Sequence, residues 1–239
     1  MIKQKKIICT LGPSSFDKKT LHQLKKEKVD LFRINLSHTK KNKILPTILY
    51  LKKNGIRNIC IDTEGAQIRT YNIKKKKKLR LNQIVRISNL DSGNLNQSLN
   101  LYPKFNMKVI KPGSTIKIGF ENLILKVIQK AGLKNFITTK VISPGILENN
   151  KGVHISQNIN LPALTSKDKY AISIGKQYGI NFFALSFANN PKNVDEIRGL
   201  IKKSFLISKI ETKNGVNNLD LICKKSDAIL IDRGDLSRF

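Results

Sequence analysis

Four short stretches combine cations, carboxylates and small oxygen donors at two-residue spacing. The first is Arg33-x-Asn35-x-Ser37-His38, and the second is Asp62-Thr63 with Arg69 close behind. The others are Lys209-x-Glu211 and Arg233-Gly234-Asp235. On an extended chain, alternate residues share a face, so Arg33, Asn35 and Ser37 would point one way, and Lys209 with Glu211 likewise. Glu211 and Asp235 are hard oxygen donors that suit Mg²⁺ or Mn²⁺ better than zinc. Arg33, Arg69 and Lys209 are cations able to hold a phosphoryl group. Two arginines and a lysine around a divalent ion form a phosphoryl-transfer arrangement, in which positioning and charge neutralisation do most of the catalysis. Asn35, Ser37, Asp62 and Thr63 are oxygen donors for a monovalent cation. Each residue alone is also what an ordinary solvated strand end carries. The argument lies in their recurrence on four segments.

Those segments must be held by strands. Apolar runs at Lys6–Leu11, Leu31–Leu36 and Ile59–Asp62 read as strands separated by helical stretches at Asp17–Lys28 and Lys43–Asn54. Asp17 is a candidate N-cap and Gly55 a helix-closing residue. After Thr70 the helical period disappears. Short alternating runs follow at Leu79–Leu81, Val85–Ser88, Ser114–Ile118, Leu123–Ile128 and Phe136–Val141. Turn signals such as Asp91-Ser92-Gly93 and Lys111-Pro112-Gly113 separate them. The βα rhythm then resumes. Helices are expected at Lys167–Tyr178 (Ser166 as N-cap), Asn193–Lys203 and Gly215–Cys223, and strands at Asn181–Ser186, Phe205–Ile210 and Ala228–Ile231. The expected class is α/β, with about six βα units and a small β insertion after the third strand. Residues 1–70 and 158–239 would form the α/β part and 71–157 the insertion. Six parallel units can open as a doubly wound sheet or curve as part of a barrel, and periodicity alone leaves both possible.

The 45 basic residues against 16 acidic ones give a net charge of +29. Nucleic-acid binding is one reading. The other is a lysine-rich surface of the kind an AT-rich genome favours. The second is preferred, because aromatics are not interleaved with the basic runs and no stacking platform exists. Lys74–Lys78 reads as a solvated loop. No stretch is apolar for long enough to span a membrane, and the apolar start is too short for a signal peptide. The expected location is the cytoplasm, with Cys9, Cys60 and Cys223 as buried free thiols.

These motifs resemble the pyruvate kinase family. The opening Lys6-Ile7-Ile8-Cys9-Thr10-Leu11-Gly12-Pro13-Ser14-Ser15 is similar to that family's first strand. Phe32-Arg33-Ile34-Asn35-Leu36-Ser37-His38 resembles its Arg-x-Asn-x-Ser-His strand. Ile61-Asp62-Thr63-Glu64-Gly65-Ala66-Gln67-Ile68-Arg69-Thr70 resembles its Asp-Thr-Lys-Gly-Pro-Glu-Ile-Arg-Thr motif. Ser208-Lys209-Ile210-Glu211 and Arg233-Gly234-Asp235-Leu236 resemble its two metal-carboxylate segments, and Leu161-Pro162-Ala163-Leu164 and Leu185-Ser186-Phe187 also match.

The resemblance implies a partial (β/α)8 barrel with an inserted β-barrel lid, and transfer of the phosphoryl group of phosphoenolpyruvate to ADP in glycolysis with Mg²⁺ and K⁺. It implies Lys209, Arg33 and Arg69 as catalytic residues. Arg33, Lys209, Gly234 and Asp235 would contact substrate, and His38 and Arg69 the nucleotide. Glu211 and Asp235 would hold Mg²⁺ (or Mn²⁺), and Asn35, Ser37, Asp62 and Thr63 would hold K⁺. Relative to the family pattern the chain stops after six βα units, so the expected barrel edges are open. A homo-oligomer or a second chain could cover them. Motif departures are Glu64 for lysine, Ala66 for proline, Asp232 for alanine and Ser237 for glycine. Gly119-Phe120-Glu121 replaces Asp-Asp-Gly, and His154-Ile155-Ser156-Gln157 replaces Asn-Leu-Pro-Gly. The alternatives to turnover are a non-catalytic phosphoenolpyruvate- and metal-binding pseudoenzyme or regulatory partner, a different phosphoryl acceptor, and decayed coding sequence.

Overall fold

The computed structural model describes residues 6–65, 67–89, 98–119, 123–131, 136–157 and 159–237. The turn at Asp91-Ser92-Gly93 and the residues Ala66, Phe120 and Glu121 lie outside these. The chain divides into two compact units, Met1–Ala66 with Pro162–Phe239, and Gln67–Leu161.

The first unit is built on six parallel strands: β1 (Ile8–Thr10), β2 (Leu31–Asn35), β3 (Ile59–Asp62), β4 (Phe182–Leu185), β5 (Phe205–Ile210) and β6 (Ala228–Ile231). Their order in the sheet is their order in the chain. The intervening helices are α1 (Lys18–Lys26), α2 (Ile44–Lys53), α3 (Ser166–Gln177), α4 (Pro191–Ile201), α5 (Lys213–Asn217), α6 (Leu219–Cys223) and α7 (Arg233–Leu236).

Strand parity decides between the two architectures. Phe32, Ile34, Ile59, Ile61, Phe183, Leu185, Leu206 and Ile210 share one core with Leu21, Ile44, Ile48, Ala171, Val194, Ile197 and Ile222 from the helices. The opposite parity, Leu31, Cys60, Ala184 and Ile207, forms a separate small cluster with Phe182, Ala228 and Leu230. The helices therefore cover one face, and the strand order has no reversal. A doubly wound sheet has helices on both faces and a switch point. This sheet is singly wound, the arrangement of a barrel wall. It is a partial barrel, with β1 and β6 at its edges.

Local signals explain most helix ends. Asp17 caps α1 by accepting from the Thr20 N–H at 2.9 Å. Gly55 follows α2 at φ 73°, in the left-handed region that glycine tolerates. The cap of α3 corrects the expectation. Thr165, not Ser166, is the N-cap, in a reciprocal capping box with Asp168. The expected helix over Gly215–Cys223 is instead two short helices, α5 and α6, meeting at Asn218. Of the three cysteines only Cys60 is buried, and Cys223 is exposed. No helix of the described residues is long and apolar enough to cross a membrane.

The second unit is a closed barrel. Its strand order is Phe136–Ser143, Ile84–Asn89, Ser98–Tyr102, Ile68–Tyr71, Gly152–Ile155, Thr115–Ile118 and Leu123–Gln129. All its pairings are antiparallel except that between Ile84–Asn89 and Ser98–Tyr102. Alternate residues such as Ile116, Ile118, Leu123, Leu125 and Val127 fill its core. Closure removes the sheet edges that would otherwise template pairing. Three of these strands, Ile68–Tyr71, Ser98–Tyr102 and Gly152–Ile155, were not expected from the sequence. Each is short, and at least one of its partners is distant in the chain. A further two-stranded sheet pairs Lys77–Leu79 with Gly145–Leu147, so the lysine run is part strand, although Lys74–Lys78 is exposed as expected.

Candidate active site

Along the four central strands of the first unit, the inner face changes from apolar to polar or charged toward the carboxyl end. Leu31 is followed by Arg33 and Asn35, Cys60 by Asp62, Ala184 by Ser186, and Ile207 by Lys209 and Glu211. Parallel pairing brings these ends level: Asn35 is the register partner of Asp62, and Ala184 partners both Asp62 and Ile207. One sheet therefore collects at one rim what the sequence spreads over two hundred positions.

Lys209 is the hub. Its ammonium lies 3.0 Å from Glu211, 3.6 Å from Asp62 and 4.0 Å from Asp232, and donates to Ser186 Oγ at 3.2 Å. Arg33 lies 3.6 Å from the same Asp62 oxygen and donates through Nε to Thr10 Oγ1 at 2.7 Å. That oxygen, Asp62 Oδ2, is buried and accepts no hydrogen bond. Burial pushes the Asp62 carboxyl up, against the pull of Lys209 and Arg33. Burial likewise pushes Glu211 up to about 7, with Lys209 opposing. For Lys209, burial pulls its pKa down, but the carboxylates of Asp62 and Glu211 outweigh it and the net direction is up. The lysine is therefore held as a cation.

Glu211 is aimed by the backbone. Its second oxygen accepts from the Phe187 N–H at 2.6 Å, and Phe187 has φ 53°, a left-handed conformation uncommon for an aromatic residue. Glu211, Asp232 and Asp235 each place one ligand oxygen within 4.8 Å of the others. Three hard oxygen donors in that space fit a divalent cation of the Mg²⁺ or Mn²⁺ type. A cavity of about 430 Å³ opens beside them, lined by Thr10, Arg33, Asp232 and Gly234 and by the edge residues Ile8 and Ile231.

Of the residues expected to hold a monovalent cation, Asn35, Asp62 and Thr63 stand at the neighbouring ends of β2 and β3, and Ser37 lies in the turn after β2. Asn35 Oδ1 accepts from the Ser37 N–H at 2.9 Å. Thr63 Oγ1 accepts from the Ser186 N–H at 2.9 Å, and Asp62 Oδ1 from Ser186 Oγ at 3.2 Å. Their type suits K⁺, although the orphan oxygen of Asp62 faces Arg33 and Lys209. His38 is exposed in the turn after β2. Arg69 belongs to the second unit, where it donates to the Asn150 carbonyl at 3.3 Å. The structure thus gathers Arg33, Asp62, Thr63, Lys209, Glu211, Gly234 and Asp235 in the first unit and places Arg69 in the other.

Sequence reasoning misses the residues that hold this rim. Asp168, fully buried, accepts from the N–H groups of Glu64 (2.8 Å), Gly65 (3.3 Å) and Thr165 (2.9 Å). It ties the loop after β3 to the start of α3. The sequence carries the Thr165-x-x-Asp168 capping-box spacing, which the choice of Ser166 as N-cap passed over, and nothing in it marks the second task of Asp168. Lys167 pairs with Glu64 and donates to the Leu36 carbonyl at 2.8 Å. Gly65 has φ 69°, and a Cβ there would lie 2.7 Å from the Ser186 carbonyl oxygen, so only glycine fits.

Comparison with known proteins agrees with this geometry. Residues 2–237 match the model of the pyruvate kinase barrel domain. The pyruvate kinase of Sporosarcina psychrophila is 32% identical over 248 residues, which cover 98% of this chain and 42% of that protein. That of Bacillus licheniformis is 30% identical over 98% of this chain and 42% of its own length. That of Thermotoga maritima is 32% identical over 97% of this chain and 52% of its own length. The chain spans about half the length of these relatives. With the family match running through both units and the carboxylates and cations gathered on a singly wound parallel sheet, the chain belongs to the pyruvate kinase family.

Proposed function

We propose that this chain carries the phosphoenolpyruvate- and metal-binding part of a pyruvate kinase-type phosphotransferase, giving pyruvate and ATP from phosphoenolpyruvate and ADP. The observation that carries the reading is the Lys209 ammonium, 3.0 Å from Glu211, beside the oxygens of Glu211, Asp232 and Asp235. In this reading Glu211 and Asp235 hold Mg²⁺ or Mn²⁺, and Asn35, Ser37, Asp62 and Thr63 hold K⁺. The divalent ion, when bound, supplies charge neutralisation for the phosphoryl oxygens. Arg33 and Lys209 bind the phosphoryl group as it transfers. The bond between phosphorus and the enol oxygen breaks while an ADP β-phosphate oxygen bonds to phosphorus. Lys209 stabilises the negative charge left on the enolate oxygen, and C3 then takes a proton to give pyruvate. Gly234 joins the substrate contacts, and His38 and Arg69 the nucleotide contacts, on family resemblance. The proposed location is the cytoplasm.

The test is pyruvate formation from phosphoenolpyruvate and ADP with Mg²⁺ and K⁺, on purified protein, with Lys209→Met as control. Turnover no greater than that of a folded Lys209→Met variant removes the reading.

A further inference from the structure

Family resemblance gives roles to Glu211 and Asp235 and none to Asp232, which stands where the motif has a small residue. The two oxygens of Asp232 do different things. Oδ1 accepts from the N–H groups of Gly234 (3.2 Å) and Asp235 (3.3 Å), capping α7. Oδ2 faces the Lys209 ammonium at 4.0 Å. On the same ammonium lies the orphan oxygen of Asp62, buried and without a hydrogen bond. Helix capping needs only one carboxylate oxygen. The other brings a negative charge to a rim that already carries Asp62, Glu211 and Asp235.

Two electrostatic consequences follow. A divalent ion among Glu211, Asp232 and Asp235 meets three carboxylates instead of two, which raises its affinity. An anion approaching Arg33 and Lys209 meets one more like charge, which lowers its affinity until the metal is present. We propose that Asp232 is a specificity-determining residue that makes this a metal-first site, binding the divalent ion before any anionic substrate and excluding that substrate in its absence. The inference rests on the proposed metal role of Glu211 and Asp235.

The experiment titrates the purified chain with Mn²⁺, reading free Mn²⁺ by electron paramagnetic resonance without substrate. Phosphoenolpyruvate binding is then measured by calorimetry in EDTA. Asp232→Asn removes the charge but can still cap a helix. It is expected to weaken Mn²⁺ binding about tenfold or more and to strengthen metal-free phosphoenolpyruvate binding several-fold, on the scale of one neighbouring charge. Asp232→Ala should repeat both shifts with a lower melting temperature, because it also loses the cap. If Asp232→Asn matches wild type in both titrations while Glu211→Gln loses Mn²⁺, Asp232 is a cap only and the inference fails alone. If wild type binds no Mn²⁺, the inference and the proposed metal role fail together.

Discussion

The Lys209 ammonium lies 3.6 Å from Asp62 Oδ2, a buried oxygen that accepts no hydrogen bond. The pair is held by position, since one residue ends β3, the other lies within β5, and β4 separates them. Arg33 lies at the same distance from the same oxygen. Removing the Asp62 charge leaves two cations facing a neutral amide. Asp62→Asn removes the strongest upward pull on Lys209, so the Lys209 pKa is expected to fall. Titration of the Lys209 side chain followed by nuclear magnetic resonance measures it, and an unchanged midpoint would show that Lys209 does not depend on Asp62.

Acid should stabilise the metal-free protein between pH 8 and pH 6. Glu211, pushed up to about 7 by burial, takes a proton more readily folded than unfolded. Its contribution is present in full below its unfolded value and is lost as pH rises through about 7. Asp62 and Asp168 are raised and act in the same sense, whereas Asp17 and Asp227 are lowered and act only below the usual carboxylate range. In EDTA, stability at pH 6 should exceed that at pH 8 by on the order of 1 kcal/mol from Glu211. Glu211→Gln should flatten that slope in thermal melts, and an unchanged slope would assign it elsewhere.

Gly65 and Gly113 both have positive φ, but only Gly65 is crowded. A Cβ at Gly65 meets the Ser186 carbonyl at 2.7 Å, while nothing lies within 4 Å of one at Gly113. Gly65→Ala should cost roughly 3 kcal/mol, and Gly113→Ala roughly 1 kcal/mol from backbone strain alone. Equal costs in denaturant unfolding would mean that the close approach to Ser186 carries no energy.

Asp17 is the N-cap of α1, whereas Asp168 is the third helical residue of α3 and bonds back to its N-cap, Thr165. Asp17 is exposed and Asp168 is buried under three backbone N–H groups. Asp17→Ala should cost clearly less than Asp168→Ala, because only one exposed cap bond is lost. Asp168→Ala leaves buried donors unsatisfied and should cost about 3 kcal/mol or more. It should also speed hydrogen exchange at the Glu64 and Gly65 amides, and unchanged protection there would mean that Asp168 does not hold the loop after β3.

Much of the sheet was legible because its signals are local. The bounds of Ile59–Asp62, Phe205–Ile210 and Ala228–Ile231 agree with the expected strands to the residue, since each is a short apolar run bounded by polar residues. Alternation alone put Lys209 and Glu211 on one face, and the spacing of apolar residues marked α1 and α2. Strands such as Ile68–Tyr71 and Gly152–Ile155 were not legible. Short and partly polar, they are strands because partners far along the chain complete their hydrogen bonds. The choice between a wound sheet and a barrel wall depended on which strand lies beside which, and no periodicity records that. The site follows the same division. Residue type and spacing named Arg33, Asp62, Lys209, Glu211 and Asp235 by their chemistry. That Asp62 faces Lys209, that Ser186 links them, that Asp168 anchors the loop between β3 and the second unit, and that Asp232 turns one oxygen toward Lys209 were decided only by tertiary structure. Parallel packing brings strand ends together across any separation in the chain, and a burial-shifted pKa such as that of Glu211 exists only once that packing has excluded water.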